Sequence, residues 1–335
     1  MSTHTNPELQ EWIELLQSPD LNDRLVAIKS LQHLGDEEAI DVVVLALKDE
    51  SPAVQKIAIA TLWEFANPKV IPSLIPSLAS PHEEVREVAL SSLGELVSQD
   101  SLLLLLDALH QEDLNLQRSV LILLRKIHDA QSLPYLLPFL QSEHPELREA
   151  AITTLRYLNQ VKTSPTALPL LQDPVDFVRR EAALTLGYLA DAEVIPNLRK
   201  ALREDPDWQV RRNVTKSLAL QANSSVIPDL IEAIADRHWQ VRRFAIQALQ
   251  SILKNHPEGI HREEAIPALV NALADEYADV RKDAAIALGN LGSPLAIASL
   301  QQVLDDPDRE VSIQAERAIQ KLKAHTSETA SQTSP

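Results

Sequence analysis

Apolar and polar positions alternate along this chain with the period of a helix, and the whole pattern returns about every 31 residues. Val85-Arg86-Glu87-Val88-Ala89-Leu90 leads to Leu93 and Gly94. Val178-Arg179-Arg180-Glu181-Ala182-Ala183 leads to Leu186 and Gly187, and Val280-Arg281-Lys282-Asp283-Ala284-Ala285 to Leu288 and Gly289. With the valine as position zero, the anchors are Asp23, Val54, Val85, Leu116, Leu147, Val178, Val210, Val241, Val280 and Val311. Their spacing is 31, except for 32 before Val210 and 39 before Val280. Position four is small or β-branched from Ala27 to Ala315, and position eight is Leu or Ile from Leu31 to Ile319. Positions zero, four, eight and eleven share one helical stripe, and a small residue at four lets a neighbouring helix approach closely.

An earlier helix precedes each stripe. Pro72, Pro134, Pro165, Pro228 and Pro267 lie 13 residues before their anchors, and Pro196 lies 14 before. Proline suits a first helical turn, where its missing N–H costs no hydrogen bond. Pro76, Pro138 and Pro169, nine before their anchors, are expected to kink that short helix. Turn residues such as Ser80-Pro81, Asp173-Pro174 and Asp205-Pro206-Asp207 separate the two helices, and no segment reads as strand. The reading is an all-α, right-handed α-solenoid of about ten two-helix repeats over residues 8–323, with disordered ends at 1–7 and 324–335.

The Ile-Pro-x-Leu openings (Ile71-Pro72-Ser73-Leu74, Ile195-Pro196-Asn197-Leu198, Ile227-Pro228-Asp229-Leu230, Ile266-Pro267-Ala268-Leu269) and the Val-Arg phrases resemble HEAT repeats. The resemblance is to their short form, found in phycobilisome-lyase-like proteins of cyanobacteria and in deoxyhypusine hydroxylase. It implies second helices lining a concave, protein-binding face. For deoxyhypusine hydroxylase it implies His-Glu pairs at positions two and three that hold two irons. Here position two is Leu25, Lys56, Glu87, Arg118, Glu149, Arg180, Arg212, Arg243, Lys282 and Ile313, so the histidines are missing although Glu181 keeps one acid.

Composition narrows the function further. A net charge of −17 argues against general nucleic-acid binding. With no cysteine there is no disulfide, thiol nucleophile or protein-borne iron–sulfur ligation. Apolar runs such as Leu102 to Leu106 are too short for membrane insertion, and the N-terminus carries no signal-peptide pattern, so the expected location is cytoplasmic. No phosphate loop, nucleophile elbow or zinc helix motif occurs, so no catalytic, cofactor-binding or metal residue is assigned. Gly94, Gly187 and Gly289, nine after the anchor, and Gly35 and Gly292, twelve after, read as helix interiors and ends. His82, His144 and His238, each three before an anchor, read as polar turn residues, and His256 and His261 as loop residues.

Two asymmetries remain. Position one is Arg24, Arg86, Arg148, Arg179, Arg211, Arg242 and Arg281, with acids in the preceding turns, and reads as a structural ladder between repeats. Position two becomes cationic only in repeats six to nine, as Arg180, Arg212, Arg243 and Lys282. Phe177, Trp208, Trp239 and Tyr277 gather just before the same anchors, and Tyr157 and Tyr188 both sit ten after theirs. Trp and Arg are common interface anchors. These ten residues are the candidate site for a protein partner with an acidic segment. The expected function is a non-catalytic scaffold or adaptor. The alternatives are a phycobilin lyase or phycobilisome assembly and turnover accessory, and an adaptor for an iron–sulfur assembly protein.

Overall fold

The computed structural model describes residues 7–34, 39–158, 162–190, 192–255 and 261–332, and all regular structure among them is helical. Residues 1–6, Gly35, His256 and residues 333–335 lie outside the described residues. The chain forms two compact units, Met1–Val161 and Lys162–Pro335, which hold repeats one to five and six to ten. Each unit is an α-solenoid segment of helix pairs, and successive second helices pack on one another, as Trp208–Gln221 does on Trp239–Asn255.

The register of the sequence reappears as burial. All ten position-four residues, Ala27 to Ala315, have 0% of their surface exposed. Position eight is buried in every repeat, and position zero in all but the first, where Asp23 accepts a 2.7 Å hydrogen bond from Ser18. Burying such aliphatic side chains stabilises each interface by about 1.5–3 kcal/mol per residue.

Pro72, Pro134, Pro165 and Pro228 open their helices as expected. Pro267 does not: the insertion before Val280 extends the helix backwards to His261, and the proline lies inside His261–Ala272. At Pro76, Pro138 and Pro169 the change is more than a kink. The first helix tightens to 3₁₀ turns over Ile75–Ala79, Leu137–Gln141 and Pro165–Gln172. A proline removes the i→i−4 bond, and i→i−3 bonding takes over the turn. The last helix, Arg309–Gln332, runs past residue 323, where the sequence reading ended the array. Nothing in its sequence breaks it there, since Lys321-Leu322-Lys323-Ala324 are strong helix formers.

Position seven adds a contact seam that the stripe did not include. Thr61, Ser92, Thr154, Thr185 and Ser217 are all buried. Thr154 donates to the Leu121 carbonyl at 2.7 Å and Ser217 to the Ala183 carbonyl at 2.5 Å, each reaching the preceding repeat. Gly187 faces Ser217 so closely that a Cβ there would lie 2.7 Å from the Ser217 Cα. Gly289 meets Ala318 in the same way, at 2.8 Å, whereas a Cβ on Gly94 meets nothing nearer than the flexible Lys126 Nζ at 3.6 Å.

The position-one arginines tie repeats together at the turns. Arg24 pairs with Asp49 at 2.8 Å, Arg179 with Asp205 at 2.8 Å, Arg211 with Asp236 at 2.7 Å, Arg242 with Asp275 at 2.6 Å and Arg281 with Asp306 at 2.7 Å. Each also donates to a carbonyl five residues before its own anchor, from Ser18, Asp173, Asp205, Asp236 and Asp275, at 2.8–3.0 Å. The residue at that place, an aspartate in every one of these turns but that of Arg24, thus offers its carbonyl, and the next repeat's aspartate offers the carboxylate. That aspartate also accepts the backbone N–H two residues on, at Ser51, Asp207, His238, Tyr277 and Asp308. The rung from Arg86 is lost because Gln111 stands where the aspartate would be, so Arg86 keeps its bond to the Ser80 carbonyl. In the second unit the rungs from Arg179 to Asp306 are continuous.

Two tests follow from this packing. Leu186→Ala should lower stability by about 2–5 kcal/mol through cavity formation. Gly187→Ala and Gly289→Ala should each cost about 1–3 kcal/mol by overpacking, while Gly94→Ala should be neutral or gain up to about 1 kcal/mol of helix propensity. Denaturant melts of the four variants check the order, and equal effects at the three glycines would contradict the seam. For the ladder, the hydrogen bond from Arg281 holds the Asp306 carboxyl below its ordinary range. Its contribution is therefore present above about pH 4 and lost as pH falls below that value. Asp306→Asn should cost about 1.5–3 kcal/mol at pH 7, and the gap between wild type and variant should shrink as melts are taken to pH 3.

Candidate protein-interaction surface

The turns of repeats seven to nine carry a continuous row of rings. Trp208 stacks on His238 with centroids 3.8 Å apart and planes 8° from parallel. His238 lies 6.4 Å from Trp239, and Trp239 stacks on Tyr277 at 5.1 Å and 14°. The row follows a register rule: the residue two before one anchor stacks on the residue three before the next. The ladder sets this geometry, because Asp236 and Asp275 hold the backbone N–H groups of His238 and Tyr277 at 2.8 and 2.9 Å. Trp208 and Trp239 are half-buried and Tyr277 is exposed, so the row presents an edge to solvent.

The sequence named Trp208, Trp239 and Tyr277 but not their partner. His238, read as a polar turn residue, is the ring that joins the two tryptophans. The available signal was its place immediately before Trp239, three residues before an anchor. Phe177 is exposed, and among the described residues no ring stacks on it. Tyr188 is exposed in the same unit. Tyr157 belongs to the other unit, where His128 approaches its ring at 6.1 Å and Arg156 lies 5.8 Å over it.

Position two is less basic than its sequence suggests. Arg180 is paired with both Asp176 and Asp207. Arg243 holds Asp283 at 2.9 Å and Asp279 at 3.3 Å, and Lys282 holds Asp279 at 2.6 Å. The acids come from one turn earlier on the same helix, from the next repeat's turn, or from the next second helix, and they compensate three of the four cations. Arg212 differs. Its guanidinium lies 5.4 Å over the Trp208 ring and donates to Asn213 Oδ1 at 3.0–3.2 Å. Among the described residues no carboxylate reaches ion-pair distance of it. One helical turn on, Lys216 sits 4.5 Å over the Phe244 ring. Burial lowers the pKa of Arg212, with Asp207 opposing the shift and Arg180 adding to it, and burial and the charge of Arg212 lower that of Lys216.

A cleft of about 260 Å³ opens beside Trp239 and Tyr277, walled by Asp279, Lys282, Asp308 and Glu310. The surface therefore offers aromatic area, one cationic spot without a carboxylate at ion-pair distance, and a mixed-charge rim. It holds no nucleophile–base pair, and among the described residues no group of three His, Asp or Glu side chains has metal-ligand geometry. No helix among the described residues is long and apolar enough to cross a membrane.

Burial lowers the His238 pKa; Asp236 opposes the shift, and Arg211, Arg242 and Arg212 add to it. The lowered pKa keeps the stacked ring neutral to pH values below the ordinary histidine value of about 6.5, and further acidification places a charge between the two tryptophans. Tryptophan fluorescence should change between pH 7 and 5 in the wild type. In His238→Phe, which keeps a flat ring without a proton to gain, the change should be absent.

Comparison with known proteins agrees with this architecture. Six overlapping stretches, residues 9–94, 71–143, 101–187, 134–219, 195–260 and 227–320, match HEAT repeats. No curated protein matches the chain. Among solved structures, YibA of Escherichia coli is 20% identical with a TM-score of 0.58, over 79% of this chain and 96% of that one. Importin beta is 14% identical with a TM-score of 0.62, over 94% of this chain and 51% of that one. Kap95p, in a structure with RanGDP, is 16% identical with a TM-score of 0.54, over 95% of this chain and 55% of that one. At such identities the likeness is one of fold, but the repeat matches span residues 9–320, and the chain belongs to the HEAT-repeat family.

Proposed function

We propose that this chain is a non-catalytic scaffold that binds another protein, in the cytoplasm, through the turn edge and second helices of repeats seven to nine. The observation that carries the reading is the Trp208–His238–Trp239–Tyr277 row, where, among the described residues of the second unit, rings stack on one another across successive repeats. Half-buried Trp and Tyr anchored on rigid elements supply contact area with little entropy left to lose. The fold supports the reading by analogy only, since Kap95p, of similar fold, binds RanGDP. The phycobilisome-lyase-like alternative rests on the repeat phrases and uses the same kind of surface. It differs in its partner, a phycobiliprotein, and in requiring bilin transfer.

The tagged chain and its Trp208→Ala/Trp239→Ala variant should be used as bait in lysate of the native cells. A partner held by the wild type should be recovered about tenfold less by the variant, a loss near 1.4 kcal/mol, with helix content by circular dichroism unchanged. Equal recovery by both baits would move the interaction off this row. Phycobiliproteins in the eluate, with bilin transferred in a reconstituted assay, would replace the scaffold by the lyase reading.

A further inference from the structure

The register of the repeats explains why Arg212 stands apart. The acids that pair Arg180 and Arg243 occupy four definable places: four residues before the cation (Asp176 for Arg180), three before the next anchor (Asp207 for Arg180), one before it (Asp279 for Arg243), and three after it (Asp283 for Arg243). Around Arg212 the same four places hold Trp208, His238, Gln240 and Phe244. Every acid of the scheme is absent, and three of the four substitutes are rings.

Those rings also back the cations. Trp208 lies behind the Arg212 guanidinium and Phe244 behind the Lys216 ammonium, so both charges are steered by cation–π contact rather than by a counter-ion. Arg212 and Lys216 are four apart on the helix Trp208–Gln221, which places them on one face about 5–6 Å apart at Cβ. Two like charges held this close and half-buried repel each other. They create a positive spot on a chain whose net charge is −17.

We propose that Arg212 and Lys216 form the seat for a carboxylate of a partner protein's acidic segment, with Trp208 and Phe244 as its walls. The proposal rests on the reading that this surface binds a protein, and it names the chemistry of that protein. The planar guanidinium offers two parallel N–H donors to a carboxylate, and the ammonium supplies a second contact on the open side. An arriving carboxylate relieves the repulsion between the two cations, so binding gains where the free surface is destabilised. The lowered pKa of Lys216 is consistent with this and should rise on binding. Arg180, Arg243 and Lys282 are excluded as primary contacts, because each must first release an aspartate.

The test uses the full chain and a fluorescein-labelled octaglutamate peptide, followed by anisotropy at low salt, with octaglutamine as control. Octaglutamate should bind saturably and more weakly as salt rises, and octaglutamine should not bind. Arg212→Gln and Lys216→Gln should each weaken binding by about tenfold. Lys216→Gln touches no hydrogen bond of the fold and guards against misfolding as the cause. Arg180→Gln and Arg243→Gln should change binding by less than about threefold, their cations being already engaged. No binding of octaglutamate, or equal losses at Arg180 and Arg212, would overturn the seat. So would displacement of the peptide by equimolar inorganic phosphate, which would make it a phosphate site. The two readings fail separately. If Trp208→Ala/Trp239→Ala loses the cellular partner and Arg212→Gln does not, the surface stands and the seat falls. If octaglutamate behaves as expected but the partner ignores the ring row, the seat stands and the scaffold surface falls.

Discussion

One side chain per repeat fixes the geometry on which everything else in the second unit depends. The position-one arginine reaches the carbonyl of its own turn and the carboxylate of the next, as Arg211 does with Asp205 and Asp236. Both contacts are charge-assisted and largely shielded from water, and the carboxylate pair is bidentate in Arg211, Arg242 and Arg281. A helix pair cannot bury its apolar stripe alone, so it must lean on its neighbour. Apolar packing favours contact but tolerates sliding, and the arginine sets the distance and register. The same aspartate then accepts a backbone N–H two residues on and so orients the residue that follows. One interaction therefore spaces the repeats and shapes the turn that precedes each second helix.

That coupling explains where the ring row can exist. Stacking of His238 on Trp208 at 3.8 Å needs the two turns to be held at a fixed offset, which the rung from Arg211 to Asp236 supplies. In the first unit Ser80 and Gln111 occupy the aspartate position in two successive repeats, and of the residues three and two before their anchors, His82, Glu83, Asp113 and Leu114, one carries a ring. A rung permits a ring row but does not make one: the rungs Arg179–Asp205 and Arg281–Asp306 join turns whose stacking places hold Asp176, Asp207, Ala278 and Asp308.

The legible part of this protein was what depends on a single helix. Position four from Ala27 to Ala315 and position eight from Leu31 to Ile319 follow from period alone, and all are buried. The unreadable part depends on the displacement between one repeat and the next. Arg180 looks like a free cation until Asp207, 27 residues away, is brought to it. Ser217 looks like an ordinary helical serine until Gly187 is pressed against it. Pro267 was misplaced for a related reason: counting back from the anchor ignores that an insertion lengthens the helix from the other end. His238 escaped because a lone turn histidine has no signature, and its role exists only between two tryptophans from different repeats.

The division between fixed and variable positions also indicates where specificity can be stored in such an array. Positions zero, four and eight are fixed by packing, seven and nine by the close approach of second helices, and minus five and one by the ladder. What remains free is minus three, minus two, two and six. In repeat seven these are Asp207, Trp208, Arg212 and Lys216, and in repeat eight His238, Trp239, Arg243 and Gln247. Aromatic area and uncompensated charge both appear at the positions the scaffold does not need. A change at one of them, such as His238 at the place where repeat seven carries Asp207, alters the surface without altering the packing of the repeats. Repeats that are nearly identical in their cores can therefore present different chemistry at their edges, and the binding surface is built by omitting, at one repeat, the acids that neutralise its neighbours.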